Sequence, residues 1–302
     1  MNIKKNEFEI LSYIEREGGK KLPQRKIADD TMLSLGMVNK SLAELGEMGL
    51  IRQTDKKELQ ITKLGMEALE PYRVKRAVII AAGFGSRMVP ITLNTPKPLV
   101  RVHGKMIIET LLDAIVEAGI PEIVVVRGYL WEQFDSLLHK YPQIRFVYNP
   151  LFNESNNISS AYLAKDLLQN AYVCEADLLL SNPRLIRKYE YSSNYLGMFK
   201  EYTDDWCFEV KRGKIRQLMV GGRNCYHMYG ISYWDQKDGA QLCHDLEETF
   251  QMPGGKEKYW DEVALRVFSK NYAVDVRPCF EGDIVEIDTF NELKQIDPVY
   301  NM

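Results

Sequence analysis

The sequence predicts a two-part chain: a small α+β domain that is mostly helical, followed by a larger α/β domain built on a parallel sheet. Three observations predict it. The 302 residues suit two domains of the usual ~100–200 residues each. The charge changes sign along the chain, with a net of +3 up to Arg76 and -6 after it. Apolar periodicity switches from helical to strand-like across Pro71 to Lys75, which sets domains at 1–73 and 74–302.

In the first part, Phe8, Ile10, Leu11 and Ile14 recur at helical spacing, and Gly18-Gly19 ends that helix. A second helix follows Pro23 and runs from Gln24 to Thr31. A third begins after Ser34 as N-cap and continues to Met48, where Gly49 stops it. Val38, Leu42 and Leu45 share one face of that helix, leaving Gly36, Asn39 and Lys40 on another. Ile51 to Thr62 alternates around Asp55-Lys56-Lys57 as a two-stranded hairpin, and Thr62 to Leu69 closes the domain as a helix.

From Lys75 the order becomes strand, loop, helix, strand, the signature of a parallel α/β sheet. Ala77–Ile80 is the first strand. A helix over 106–118 precedes the continuous apolar strand Glu122–Val126, of the kind buried on both faces. Trp131–Lys140 reads as a helix, Arg145–Tyr148 as a strand and Ser159–Leu168 as a helix. The strand Ala171–Asp177 ends in a carboxylate, and Glu286-Ile287-Asp288 alternates so that both carboxylates share one face of a late strand.

Composition narrows the function classes. Hydrophobic residues at 45% and charged residues at 27% describe a soluble globular chain and disfavour fibrous or disordered classes. A net charge of -3 gives no whole-chain field that announces nucleic acid or membrane. The five cysteines are odd in number and widely spaced, so neither a disulfide framework nor a zinc site is indicated. The first residues run into charge without an apolar signal core, and no stretch approaches the ~18 apolar residues of a membrane span. The expectation is a cytoplasmic protein with no membrane partner.

The chemistry is concentrated after the first α/β strand. Ala81-Ala82-Gly83-Phe84-Gly85-Ser86-Arg87 stands where open α/β sheets bind ligands. Gly83 and Gly85 let backbone N–H groups approach a phosphate. The loop fits neither common nucleotide fingerprint, since Met88 takes the third glycine position of G-x-G-x-x-G and no G-K-[ST] follows. Joined to Pro96-Lys97-Pro98-Leu99-Val100, however, it resembles the signature of nucleotidyltransferases, which join a nucleoside triphosphate to a phosphorylated substrate. Transfer at the α-phosphorus with pyrophosphate leaving needs cations along the triphosphate, and Arg87 and Lys97 supply two. Mg²⁺ takes few carboxylates plus phosphate oxygens. By the resemblance, Asp177 and Asp288 are its two aspartates.

Two further resemblances refine this. The order helix, helix-turn-helix, hairpin, helix over roughly residues 6 to 72 resembles the winged helix-turn-helix domain of bacterial transcription regulators, most specifically over Met37 to Ile51. It implies that Gly36, Met37, Asn39 and Lys40 face a DNA major groove and that Lys56 and Lys57 approach phosphate. The modest charge, with Glu44 and Glu47 on the same helix, leaves a dimerisation or docking module as the alternative. Residues 76 to about 297 resemble the bacterial choline-phosphate cytidylyltransferases. That likeness rests on Arg127 to Phe134, Asn156 to Tyr162, Ile231 to Asp235, Tyr259-Trp260-Asp261 and Glu286-Ile287-Asp288.

This second resemblance implies a Rossmann-like, mixed-sheet, GT-A-like nucleotidyltransferase fold, with CTP and phosphocholine as substrates and Mg²⁺ as cofactor. Ala81, Ala82, Gly83, Gly85, Gly128 and Tyr129 then hold the nucleotide, while Asn156 and Asn157 frame the acceptor. A quaternary ammonium is recognised by aromatic faces and carboxylates. Tyr259, Trp260, Asp261 and Glu286 offer both, with Trp206, Tyr233 and Trp234 as further aromatic candidates. Ile158 departs from the family's Asn-Asn-x-x-Ser stretch. Three alternatives stay open: a sugar 1-phosphate acceptor, an aminoalkyl phosphonate acceptor, and a ligand-sensing transcription regulator. DNA and a second copy of the chain are the candidate macromolecular partners.

Overall fold

The computed structural model describes residues 3–301, and they divide into two compact units. The first unit runs up to Arg73 and includes Tyr189–Tyr191 from much later in the chain; the second holds Val74–Lys188 and the residues from Ser192 onward. The sequence carries no sign of that late segment's membership. Its reason is packing: Tyr189 is buried in the first unit's core, and the Tyr191 ring stacks on Tyr72 and lies 5.4 Å from Phe8.

In the first unit, α1 (Lys5–Glu17), α2 (Gln24–Thr31) and α3 (Leu35–Glu47) bury Phe8, Ile10, Leu11, Ile14, Ile27, Val38 and Leu45 together. Ser34 caps α3 by accepting from the Met37 N–H at 3.3 Å. The hairpin β1 (Ile51–Gln53) and β2 (Leu59–Ile61) pairs Ile51 with Ile61. Thr62 then caps α4 (Lys63–Leu69).

The second unit is a seven-stranded mixed sheet in two apolar layers. Its parallel heart is β3 (Arg76–Ala81), flanked by β6 (Glu122–Arg127) and β8 (Ala171–Glu175), with β7 (Ile144–Tyr148) beyond β6. Alternation splits the core: Ala77, Ile79 and Val125 pack with α5 (Ile107–Glu117). Val78, Ile80 and Val126 pack on the other face with α6 (Ile158–Leu163) and α7 (Gln236–Gln251). Short ladders join β4 (Arg101–Val102) to β5 (Lys105–Met106) and β9 (Leu178–Leu180) to β13 (Ile284–Glu286). The helix α8 (Phe290–Ile296) follows.

Several elements differ from the periodicity. Trp131–His139 is a 3-10 helix, not an α-helix, and the helix expected to reach Leu168 ends at Leu163 before a 3-10 turn over Lys165–Leu167. Asp177 and Asp288 lie just beyond the ends of β8 and β13. The largest unforeseen element is the antiparallel pair β10 (Asn194–Lys211) and β11 (Lys214–Trp234), which makes the sheet mixed where β11 runs antiparallel to β8. The strand β12 (Asp275–Pro278) runs parallel to β10.

Candidate functional site

Strands β6 and β8 leave β3 in opposite directions, so the loop after β3 opens at a switch point of the sheet. That loop lines a cleft with Gly83, Gly85, Arg87, Lys97, Asn156, Asn157, Glu175 and Asp177. Gly85 has a φ of +68°, and a Cβ there would lie 3.0 Å from Lys97 Cβ, so only glycine fits the turn against that lysine. Gly128 and Tyr129 support the loop. The Tyr129 N–H donates to the Ala82 carbonyl at 3.0 Å, and its hydroxyl donates to the Leu93 carbonyl. A Cβ on Gly128 would sit 2.9 Å from the Ala82 carbonyl oxygen. Both residues brace the loop from behind.

Two strand ends bring the acids together. Pairing of β13 with β9 sets Glu286 opposite Leu178, and the Ile287 N–H reaches the Asp177 carbonyl at 3.3 Å. Asp177 and Asp288 therefore converge on Lys97, whose Nζ donates to Asp177 Oδ2 and to Asp288 Oδ1, each at 2.9 Å. Arg87 Nη2 donates to the same Asp288 oxygen at 2.8 Å. Burial would lower the lysine pKa, but the two carboxylates outweigh it and hold the ammonium charged.

The motifs leave one residue of this centre unnamed. Glu175, two positions before Asp177, stands with Asp177 and Glu286 so that one oxygen from each lies within 4.8 Å of the others. The strand alternation that points to Asp177 also points to Glu175, because both emerge on one face. Asn157 Nδ2 donates to Glu175 Oε1 at 3.2 Å. Burial first, and then Asp177, Asp261 and Glu286, push the Glu175 carboxyl well above the ordinary range; burial, Asp177 and Asp288 push Glu286 up to about 8. Asp177 Oδ1 is buried without a hydrogen-bond partner. Crowded acids and an orphaned oxygen suit a cation. Asp288 is itself paired with Lys97 and Arg87.

On the acceptor side the expectation divides. Asn156 and Asn157 line the cleft and clasp the following segment: Asn156 Nδ2 donates to the Glu257 carbonyl, and Asn157 Oδ1 accepts from the Trp260 N–H at 2.9 Å. Asp261 is buried with Oδ1 unpartnered, and burial with Glu262 beside it raises its pKa to about 7. Trp260, expected to offer a face to the acceptor, is fully buried among Tyr195 and Trp234 and belongs to the core. Tyr233 and Trp234 are likewise core. Tyr259 is open at 41% exposure, with its ring against Trp206. Tyr195 carries a buried hydroxyl with no partner, in the field of Asp261, Glu175 and Glu286. A second cleft is lined by Glu286 and Asp288 together with Lys200, Asp205, His227 and Tyr229 from the β10–β11 pair.

In the first unit, Gly36, Asn39 and Lys40 are exposed on α3 and Met37 is half-buried beside them, while Lys56 and Lys57 stand exposed in the hairpin turn.

Similarity to known proteins agrees with this geometry. The family described as Nucleotidyl transferase matches residues 76–207, and Winged helix-turn-helix DNA-binding matches residues 3–52. The 2-aminoethylphosphonate cytidylyltransferase of Lancefieldella rimae is 38% identical over 228 residues, 74% of this chain and 92% of that protein. The choline-phosphate cytidylyltransferase of Streptococcus pneumoniae is 31% identical over 74% of this chain and 97% of its own length. The solved structure of CTP:phosphocholine cytidylyltransferase from Streptococcus pneumoniae superposes with a TM-score of 0.70 at 31% identity, covering 75% of this chain and 99% of that one. With its glycine loop, its paired cations and its converging aspartates on that fold, the chain belongs to the nucleotidyltransferase family, among relatives that are cytidylyltransferases, and carries a winged helix-turn-helix ahead of the catalytic fold.

Proposed function

We propose that the chain transfers a cytidylyl group from CTP to the phosphonate oxygen of a small aminoalkyl phosphonate of the 2-aminoethylphosphonate class. The observation that carries the acceptor is the acid that lines the cleft beside Asn157: Glu175 accepts from Asn157 and lies in the field of Glu286 and Asp261. Glu175 offers carboxyl oxygens to the cleft, and the tryptophan expected to cap a quaternary ammonium is core. A primary ammonium donates three hydrogen bonds and suits such acids, whereas a quaternary one donates none. The higher identity to the aminoethylphosphonate relative supports the same choice.

In the reaction, an acceptor oxygen attacks the CTP α-phosphorus in line. The bond to the bridging oxygen breaks, and pyrophosphate leaves with the electron pair. The attacking oxygen is already anionic near neutral pH, so no side chain has to take a proton. Lys97 and Arg87 neutralise the triphosphate, and the loop 81–85, braced by Gly128 and Tyr129, receives it on backbone N–H groups. Asn156 and Asn157 orient the acceptor toward the reacting phosphorus. Asp177 and Asp288 would hold Mg²⁺, which would supply charge neutralisation at the phosphates.

Pyrophosphate release measured over a grid of the common nucleoside triphosphates against 2-aminoethylphosphonate, phosphocholine, phosphoethanolamine and glucose 1-phosphate tests this. The highest kcat/KM should fall on CTP with 2-aminoethylphosphonate. A clear preference for phosphocholine would install the second reading, which the open Tyr259 ring beside Trp206 favours. For the first unit, the exposed face of α3 and the lysines of the hairpin support DNA contact. Footprinting on DNA upstream of the chain's own gene should reveal a protected site that Asn39→Ala with Lys40→Ala removes.

A further inference from the structure

We infer that Lys97 is a resident stand-in for the divalent cation, so that metal and nucleotide each bind well only when the other is present. This rests on the reading of Asp177 and Asp288 as metal ligands, and not on the choice of acceptor.

The ammonium of Lys97 lies between two aspartates supplied by distant parts of the chain, 2.9 Å from an oxygen of each, and the residue is only 8% exposed. That is a cation's position. A divalent ion drawn to the unpartnered Asp177 Oδ1 and to Asp288 stands against the ammonium, and the two cations repel. The ion is therefore held tightly only as Nζ leaves. Once displaced, a buried ammonium needs another anion, because an uncompensated charge away from water is costly. Lys97 lines the cleft to which the proposed function assigns the triphosphate. Arg87 repeats the pattern, held at 2.8 Å by the same Asp288 oxygen and on the same loop.

The converse holds for the nucleotide. CTP arriving alone must pull Lys97 and Arg87 away from Asp177 and Asp288, leaving acids that already crowd Glu175 and Glu286 without their counter-charges. Each ligand thus removes the cost of the other, and the coupling is reciprocal by linkage.

The test uses the full chain and Mn²⁺ as the probe, titrated by calorimetry with and without CTP, in the wild type, Lys97→Met and Lys97→Arg. Wild type should bind Mn²⁺ weakly alone and at least tenfold more tightly with saturating CTP. Lys97→Met should bind Mn²⁺ alone at least tenfold more tightly than wild type, with the CTP effect largely lost, while Lys97→Arg should keep the weak wild-type affinity. Equal affinities of Lys97→Met and wild type for Mn²⁺ alone would overturn the inference. Should Lys97→Met be unfolded without the ion, thermal melts decide instead: a larger Mn²⁺-dependent gain in Tm than in wild type supports the stand-in, and an equal gain overturns it. Absence of Mn²⁺ binding in all three proteins even with CTP removes the metal site and the inference with it. A different acceptor emerging from the substrate grid leaves every one of these expectations unchanged.

Discussion

Lys97 touches both aspartates of the centre, and its loss leaves two half-buried acids without a counter-charge. Lys97→Ala and Asp177→Ala should each lower kcat by about 10²–10³-fold or more, the scale of a lost electrostatic contact to developing charge; steady-state pyrophosphate release is the check. The acids also make stability depend on pH. Glu286 and Asp261 have folded pKa values raised to about 8 and about 7 from ordinary values of 4.5 and 3.8. The folded state therefore holds protons that the unfolded state gives up. The stabilisation is complete below the unfolded values and is lost as pH rises through the folded ones. With a chelator present, Tm should fall between about pH 5 and about pH 8.5, and Glu286→Gln should flatten that fall. At this scale Arg87, Lys97, Asp177 and Asp288 were legible because motif and strand position name them. Tyr195 was not, because nothing in its neighbourhood of sequence separates a buried tyrosine of the core from one whose hydroxyl faces acids.

The elements that aim these residues are testable through their glycines. A Cβ on Gly128, at the end of β6, would press on the Ala82 carbonyl at 2.9 Å and on Phe152 at 2.7 Å. Gly128→Ala should push the phosphate loop out of place, raising the KM for CTP by roughly tenfold and costing ~1–3 kcal/mol of stability, read by kinetics and by melts. On β11, a Cβ on Gly230 would collide with the Cγ, Cδ and Oε2 atoms of Glu175, so the whole Glu175 side chain has to turn aside. Gly230→Ala should therefore displace Glu175, lower Tm, and raise the KM for the acceptor several-fold while leaving that for CTP nearly unchanged. The parallel strands were legible because Glu122 to Val126 and its neighbours are short apolar runs between turn signals. The β10–β11 pair was not, because its register shifts repeatedly between Tyr195 and Val210, so no strict alternation survives in the sequence. Trp260 misled for a related reason: an aromatic beside an acid reads the same whether its ring caps a ligand or fills a core.

At the scale of the whole chain, the first unit owes part of its core to residues more than a hundred positions away. Tyr189 is buried there, and Tyr191 stacks on Tyr72. Tyr189→Ala should destabilise this unit by ~3–5 kcal/mol, the usual cost of an emptied aromatic site, seen as an early transition in calorimetry. A polypeptide of residues 1–73 alone should melt lower than the same unit within the full chain. The sequence boundary at Arg73 is where the periodicity changes, but periodicity is local and cannot register a later strap threading back.

That strap has a topological consequence. The polypeptide passes between the two units three times, after Arg73, before Tyr189 and after Tyr191, so no single cut can separate them. A protease nick between Pro71 and Lys75 should yield two bands on a denaturing gel but one species on a native column, with the amino-terminal fragment retained through Tyr189–Tyr191. The winged helix-turn-helix unit is discontinuous in sequence, and a clean excision would have to take Tyr189–Tyr191 along.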